Sequence, residues 1–174
     1  MAQAVRAWDG ADVTIMLTDS EIASLLAERK TLPHDFAVRI QVKPKRGHKE
    51  RELEVEGDGG NRFRIVVRQA AANPLDFSAI LMFCPRDTNQ VFRLRRHNGR
   101  SHEHTNTLEG ETFYDFHIHM ATERYQELGV REDSYAQPTD RFTDLGGAVD
   151  CLLADGGFDR ASLQTSIFDE EADT

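Results

Sequence analysis

The sequence predicts an α+β fold: a mostly antiparallel sheet of about six strands in a meander, with an N-terminal helix and two C-terminal helices packed on one face. Three observations predict it. Apolar residues recur at helical spacing only towards the two ends, the middle of the chain alternates with period two, and the connections within that middle are short and rich in Gly, Asn and Pro. A length of 174 residues suits one domain, expected over residues 17–158 between a loose N-terminus (1–16) and a disordered acidic tail (159–174).

The elements follow in order. Thr18 with Glu21 three residues later forms a capping-box pattern, and Ile22, Leu25 and Leu26 give the first helix its apolar stripe before Pro33 ends it. Phe36, Val38, Ile40 and Val42 alternate with polar residues or alanine and predict a first strand. A turn at residues 44–48 leads to a second strand through Leu53 and Val55, and Asp58-Gly59-Gly60-Asn61 is a hairpin signal leading to a third through Phe63, Ile65 and Val67. Residues 77–83 are almost wholly apolar and suit a central strand; a fifth is expected at 91–97 and a sixth at 112–120. The chain turns helical again at 121–128, stopped by Gly129, and once more at 144–153, where Gly146-Gly147 weakens the pattern.

Composition narrows the function classes. Hydrophobic residues make up 39% and charged residues 29% of the chain, no apolar run is long enough for a membrane span, and the first ten residues lack a signal-peptide pattern. Two cysteines, Cys84 and Cys151, without a Cys-x-x-Cys suit free thiols in a cytoplasmic protein. The net charge of −9 is unevenly spread: residues 36–104 carry 14 Lys/Arg against 8 Asp/Glu, and the rest is strongly acidic. A basic middle between acidic ends suits a polyanion-binding surface, or a basic sheet covered by the chain's own acidic ends.

Five of the seven histidines fall between His97 and His119, in two His-x-His pairs, His102/His104 in an expected loop and His117/His119 in the expected sixth strand. Residues two apart on a strand share a face, with Cα atoms roughly 6.5–7 Å apart, so such a pair can clasp a metal or act as acid and base about a phosphate. A hairpin register pairing Arg95 with Asp115 and Arg93 with His117 assembles a polar face. In it His117 and His119 serve as base and acid, Arg93 or Arg95 binds phosphate, and Asp115 forms a cross-strand ion pair. Arg64, Arg68, Arg96, His97 and Arg100 extend the face, with Lys45 and Arg46 as a basic hairpin tip gripping nucleic acid. The leading expectation is therefore a nucleic-acid-binding protein, in its sharper form a metal-independent nuclease with no cofactor. A protein-interaction adaptor is the second reading. A cupin-like metal protein is the third, from the order Gly110, His117, His119, Glu123 and Gly129. His102 and His104 are further metal candidates, although no tight ligand spacing accompanies them.

The stretches Phe92-Arg93-Leu94-Arg95-Arg96-His97-Asn98-Gly99-Arg100-Ser101-His102-Glu103-His104-Thr105-Asn106 and 113–125 resemble a bacterial family of uncharacterised proteins, over roughly residues 17–158. The resemblance implies a shared fold and no activity. In the tail, Gln164-Thr165-Ser166-Ile167-Phe168 resembles the peptide by which replication and repair proteins dock on the bacterial sliding clamp. Gln164, Ile167 and Phe168 are thus candidate partner-binding residues.

Overall fold

The computed structural model describes residues 14–159. The tail peptide with Gln164, Ile167 and Phe168 lies outside them. The order of elements is α1 (Asp19–Ala27), α2 (Phe36–Arg39), β1 (Lys43–Lys45), β2 (His48–Glu56), β3 (Arg62–Ala70), β4 (Phe77–Cys84), β5 (Phe92–Asn98), β6 (His104–Asn106), β7 (Glu111–Phe113), β8 (His117–Met120), α3 (Glu123–Glu127), β9 (Tyr135–Pro138) and α4 (Leu145–Asp155). Seven strands form one antiparallel sheet in the order β1-β2-β3-β4-β5-β8-β9, and β6 and β7 form a separate two-stranded ribbon. The expected α+β class and meander are therefore what the chain adopts, with a somewhat larger sheet. No helix among the described residues is long and apolar enough to cross a membrane.

One face of the sheet carries the core. Phe63, Ile65 and Val67 of β3, Ala79, Leu81 and Phe83 of β4, and Phe92 and Leu94 of β5 pack against Ile22, Leu25 and Leu26 of α1 and Val149, Leu152 and Leu153 of α4. Helix α1 begins in the expected capping box: Thr18 Oγ1 accepts from Glu21 N–H while the Glu21 carboxylate accepts from Thr18 N–H. Helix α4 begins at Asp144, whose side chain accepts from Gly147 N–H, so the cap offsets the weak helical preference of Gly146-Gly147.

Lys30 joins the ends of both helices. It is fully buried, with Nζ 2.8 Å from Leu25 O, 2.7 Å from Glu28 O and 2.7 Å from Gly156 O, and it sits 4.1 Å from the centre of the Phe63 ring. A helix leaves its last carbonyls without intrahelical partners, and one ammonium here serves the C-terminal ends of α1 and α4 together. Burial pulls its pKa down to about 8, which leaves it charged at neutral pH.

Three expectations are corrected. Residues 36–39 form α2 and not a strand, because Phe36 is buried with Ile40 packed behind it one turn later, while Val38 between them is 64% exposed. The expected sixth strand is interrupted: 111–113 pairs with 104–106, and only 117–120 joins the main sheet. Strand β9 was not foreseen, and it now forms one edge of the sheet, opposite the three exposed residues of β1.

Gly99, just after β5, marks a close backbone approach. A Cβ built there would stand 1.9 Å from the Leu75 carbonyl oxygen and 2.9 Å from the Phe77 ring. Gly99→Ala should therefore cost about 2 kcal/mol or more, as overpacking of a tight site does, read as a lower urea midpoint; an unchanged midpoint would show that the Leu75 segment yields freely.

Candidate metal centre

Strand β8 places His117 and His119 on the sheet face opposite the helices, and both are buried. The β6–β7 ribbon folds over this face and brings His104 to them. Ring centres lie 4.7 Å apart for His104 and His119, 4.9 Å for His117 and His119, and 5.4 Å for His104 and His117. One ring nitrogen from each lies within 4.8 Å of the others. Phe113 of β7 stands against His104 and His117, and His102 lies at the exposed rim with its ring 5.6 Å from that of His117.

The hydrogen bonds fix which nitrogens carry protons. His119 Nδ1 is 2.8 Å from Asp133 O and His117 Nδ1 is 2.7 Å from Asp115 O. A carbonyl only accepts, so both Nδ1 atoms donate and the lone pairs lie on Nε2. The buried Asn106 amide is oriented by the backbone of Ala136: its Nδ2 donates to Ala136 O at 2.8 Å and its Oδ1 accepts from Ala136 N–H at 2.9 Å. That same Oδ1 accepts from His104 Nε2 at 3.0 Å, leaving the His104 lone pair on Nδ1. Asn106 thus pins the ribbon to β9 and sets the His104 tautomer in one arrangement. At the ribbon's turn, Tyr125 of α3 donates to Glu109 at 2.6 Å and accepts from Leu108 N–H, holding the other end.

All three rings sit where the neutral form is favoured. Burial is the main cause, pulling His117 down to about 4 and holding His119 and His104 below the usual histidine range, with the positive charge of Arg96 adding to the effect at each. His119 Nε2 is buried and, among the described residues, has no hydrogen-bond partner. Asn98 Nδ2 comes within 3.5 Å of His117 Nε2, at the outer limit of a hydrogen bond. The result is three imidazole lone pairs in a cluster whose other ring nitrogens are all tied back.

Arg93, Arg95 and His97 were expected together on the histidine face. A bulge in β5 separates them. Arg93 faces Met82 and Arg95 faces Leu81, so Leu94 is an extra residue between successive partners. Beyond it the alternation inverts: Arg96 and Asn98 join the histidine face opposite His119 and His117, while Arg95 and His97 turn to the helix side. The expected register, and with it the Arg95–Asp115 and Arg93–His117 pairings, is not formed. Asp115 contributes its backbone carbonyl to His117 and not its carboxylate to an arginine. His97 instead lies between Asp155 (Nε2 to Oδ2, 3.1 Å) and the Phe142 ring, and Asp155 also takes both ends of the Arg141 guanidinium.

The arginines of the histidine face are mostly paired internally. Arg96 binds the buried Asp133 at 2.9 Å, Arg93 lies 3.5 Å from Glu132, Arg64 binds Glu54 and Arg68 binds Glu50, each at 2.9 Å. Lys45 binds Glu50 at 2.6 Å, Arg100 sits over the Tyr114 ring, and Arg46 is exposed at the β1–β2 turn. Glu50 and Glu54 belong to the basic middle itself, whereas Glu132 and Asp133, just before β9, bring in carboxylates from outside it, an exchange that charge counts along the chain do not reveal. The cupin-like set is not assembled either: Glu123 opens α3 and accepts from Asp19 N–H on α1. Sequence reading singled out His117, His119 and, separately, His104, but missed Asn106 and Asp133, whose partners lie on strands remote in sequence.

Compared with known proteins, the chain matches no family model, no curated protein and no solved structure.

Proposed function

We propose that the protein binds one divalent transition-metal ion through His104, His117 and His119. The observation that carries this reading is the buried, unpartnered Nε2 of His119 beside two further imidazole lone pairs of fixed tautomer. A buried polar atom without a partner costs stability, and a metal ion is the partner that three converging neutral imidazoles suit best. Backbone carbonyls on the two Nδ1–H groups are the outer support that histidine metal ligands ordinarily have. A zinc ion with ligands at 2.0–2.1 Å would hold the nitrogens roughly 3.3 Å apart, so the rings, whose nearest nitrogens lie within 4.8 Å of one another, would draw inwards on binding. Three protein ligands leave a fourth position, and His102 at the rim, its ring 5.6 Å from that of His117, is a side chain able to occupy or guard it.

Titration of chelator-treated protein with zinc, nickel or cobalt should show one ion per chain. His119→Ala should weaken binding by at least about 100-fold, beyond the loss typical of outer-shell changes. Absence of stoichiometric binding, or wild-type affinity retained in His119→Ala and His104→Ala, would remove the reading.

Nucleic-acid binding draws less support, because Arg64, Arg68, Arg93 and Arg96 are engaged by carboxylates and the histidines expected to act as base and acid are buried. A filter-binding titration of metal-free protein with RNA and DNA across salt concentrations tests it: a steep salt dependence would favour a polyanion partner.

A further inference from the structure

The helix side of the sheet holds a second site, independent of the imidazole cluster. The bulge that turns Arg95 away from the histidines directs it into a cleft between α1, the C-terminal end of α4 and strands β8 and β9. The cleft has a volume of about 600 Å³, and Ile22, Ala23, Leu26, Met120, Ala121 and Ala154 supply apolar lining. On the other side of Arg95 lies a depression of about 430 Å³ with a different lining, including Gln137, Thr139 and Arg141. Arg95, Met120 and Asp155 belong to both, so an apolar lobe and a polar lobe meet at the Arg95 guanidinium.

Arg95 is only partly exposed, and among the described residues its side chain makes one hydrogen bond, to the neighbouring Leu94 carbonyl at 3.2 Å. Among the described residues no carboxylate lies within ion-pair distance of it. Asp155, whose charge acts on Arg95 from beyond ion-pair distance, is committed on both oxygens to Arg141 and on one to His97. A guanidinium in a partly desolvated cleft binds a carboxylate through two parallel hydrogen bonds, strongest where water is scarce. β-Bulges commonly re-aim a side chain beside a binding site, and this one costs the sheet its regular alternation. Residues Ala23 and Ala27, one helical turn apart on α1, are both exposed and short, which keeps the apolar lobe open.

We propose that this cleft binds a small amphiphilic monocarboxylate, with its head on Arg95 and its unbranched apolar tail between α1 and α4. The cleft's size lies within the range of ordinary small-molecule sites.

The test is calorimetric titration of the full-length protein with octanoate, 1-octanol and inorganic phosphate. Octanoate should bind at one site, about tenfold or more tighter than octanol, which keeps the tail and lacks the charge, and than phosphate, which keeps charge and lacks the tail. Arg95→Gln should weaken octanoate by about tenfold or more and leave octanol unchanged. Ala23→Phe, at an exposed helix position that leaves the core intact, should weaken octanoate and octanol together. No octanoate binding to the wild-type protein overturns the proposal. So does octanol binding as tightly as octanoate, phosphate binding as tightly as octanoate, or wild-type affinity retained in either variant.

Discussion

Zinc at a thousandfold excess over its Kd should stabilise the folded chain by about 4 kcal/mol, the linkage expected of a ligand that binds only the native state. For a domain of this size that is a rise of roughly 8–15 °C in melting temperature. The increase should vanish in His119→Ala and shrink in His104→Ala. Its structural origin would be local: the ion would join His104, on the β6–β7 ribbon, to His117 and His119 on the main sheet. Amide hydrogens of β6 and β7 should therefore gain more protection on zinc addition than those of β2 and β3. Calorimetry of chelator-treated protein with and without zinc checks the first part, and amide exchange checks the second. A melting temperature indifferent to zinc, or protection spread evenly over the sheet, would leave the imidazole cluster as a packing feature only.

Lys30→Met should damage the fold severely. Methionine fills nearly the same volume and keeps the contact with Phe63, so packing alone would predict little loss. The ammonium, however, serves carbonyls of Leu25, Glu28 and Gly156 at once. Each buried acceptor left unpaired costs about 1–3 kcal/mol, so the expected loss is at least about 3 kcal/mol. Urea denaturation should show a much lower midpoint at an unchanged slope. A midpoint within error of the wild type would show that water replaces the ammonium at both helix ends.

The sequence made some of this architecture legible and concealed other parts for identifiable reasons. Thr18 and Glu21, the Asp58–Asn61 hairpin and the apolar run of β4 carry their structure in local chemistry, and each was read correctly. Residues 36–42 were misread because Phe36 and Ile40 satisfy both a period of two and a spacing of four; only tertiary burial decides between them. The bulge at Leu94 leaves no local mark, since Arg93-Leu94-Arg95-Arg96 reads as uninterrupted alternation followed by a charge. That one residue exchanged the expected partners of the histidine face, sending Arg95 to the cleft and bringing Arg96 and Asn98 to the imidazoles. His104 was visible as half of a His-x-His pair. Its meeting with His117 and His119 depends on Asn106 binding the backbone of Ala136, a contact across 30 residues that no spacing rule exposes.

The sheet's two ends bear on how this molecule behaves at high concentration. An unpaired strand edge offers another chain a row of free amides and carbonyls, the starting point of ordered aggregation. Here one border is the Lys-Pro-Lys of β1, three residues long and exposed throughout, and the other is the four-residue β9, which ends in Pro138. Lysine charge repels an identical incoming border, proline removes a donor from each, and short borders give little length to zip. The long, apolar, self-adhesive strands β3 and β4 are thereby kept in the interior of the sheet, where neither can recruit a second copy side by side.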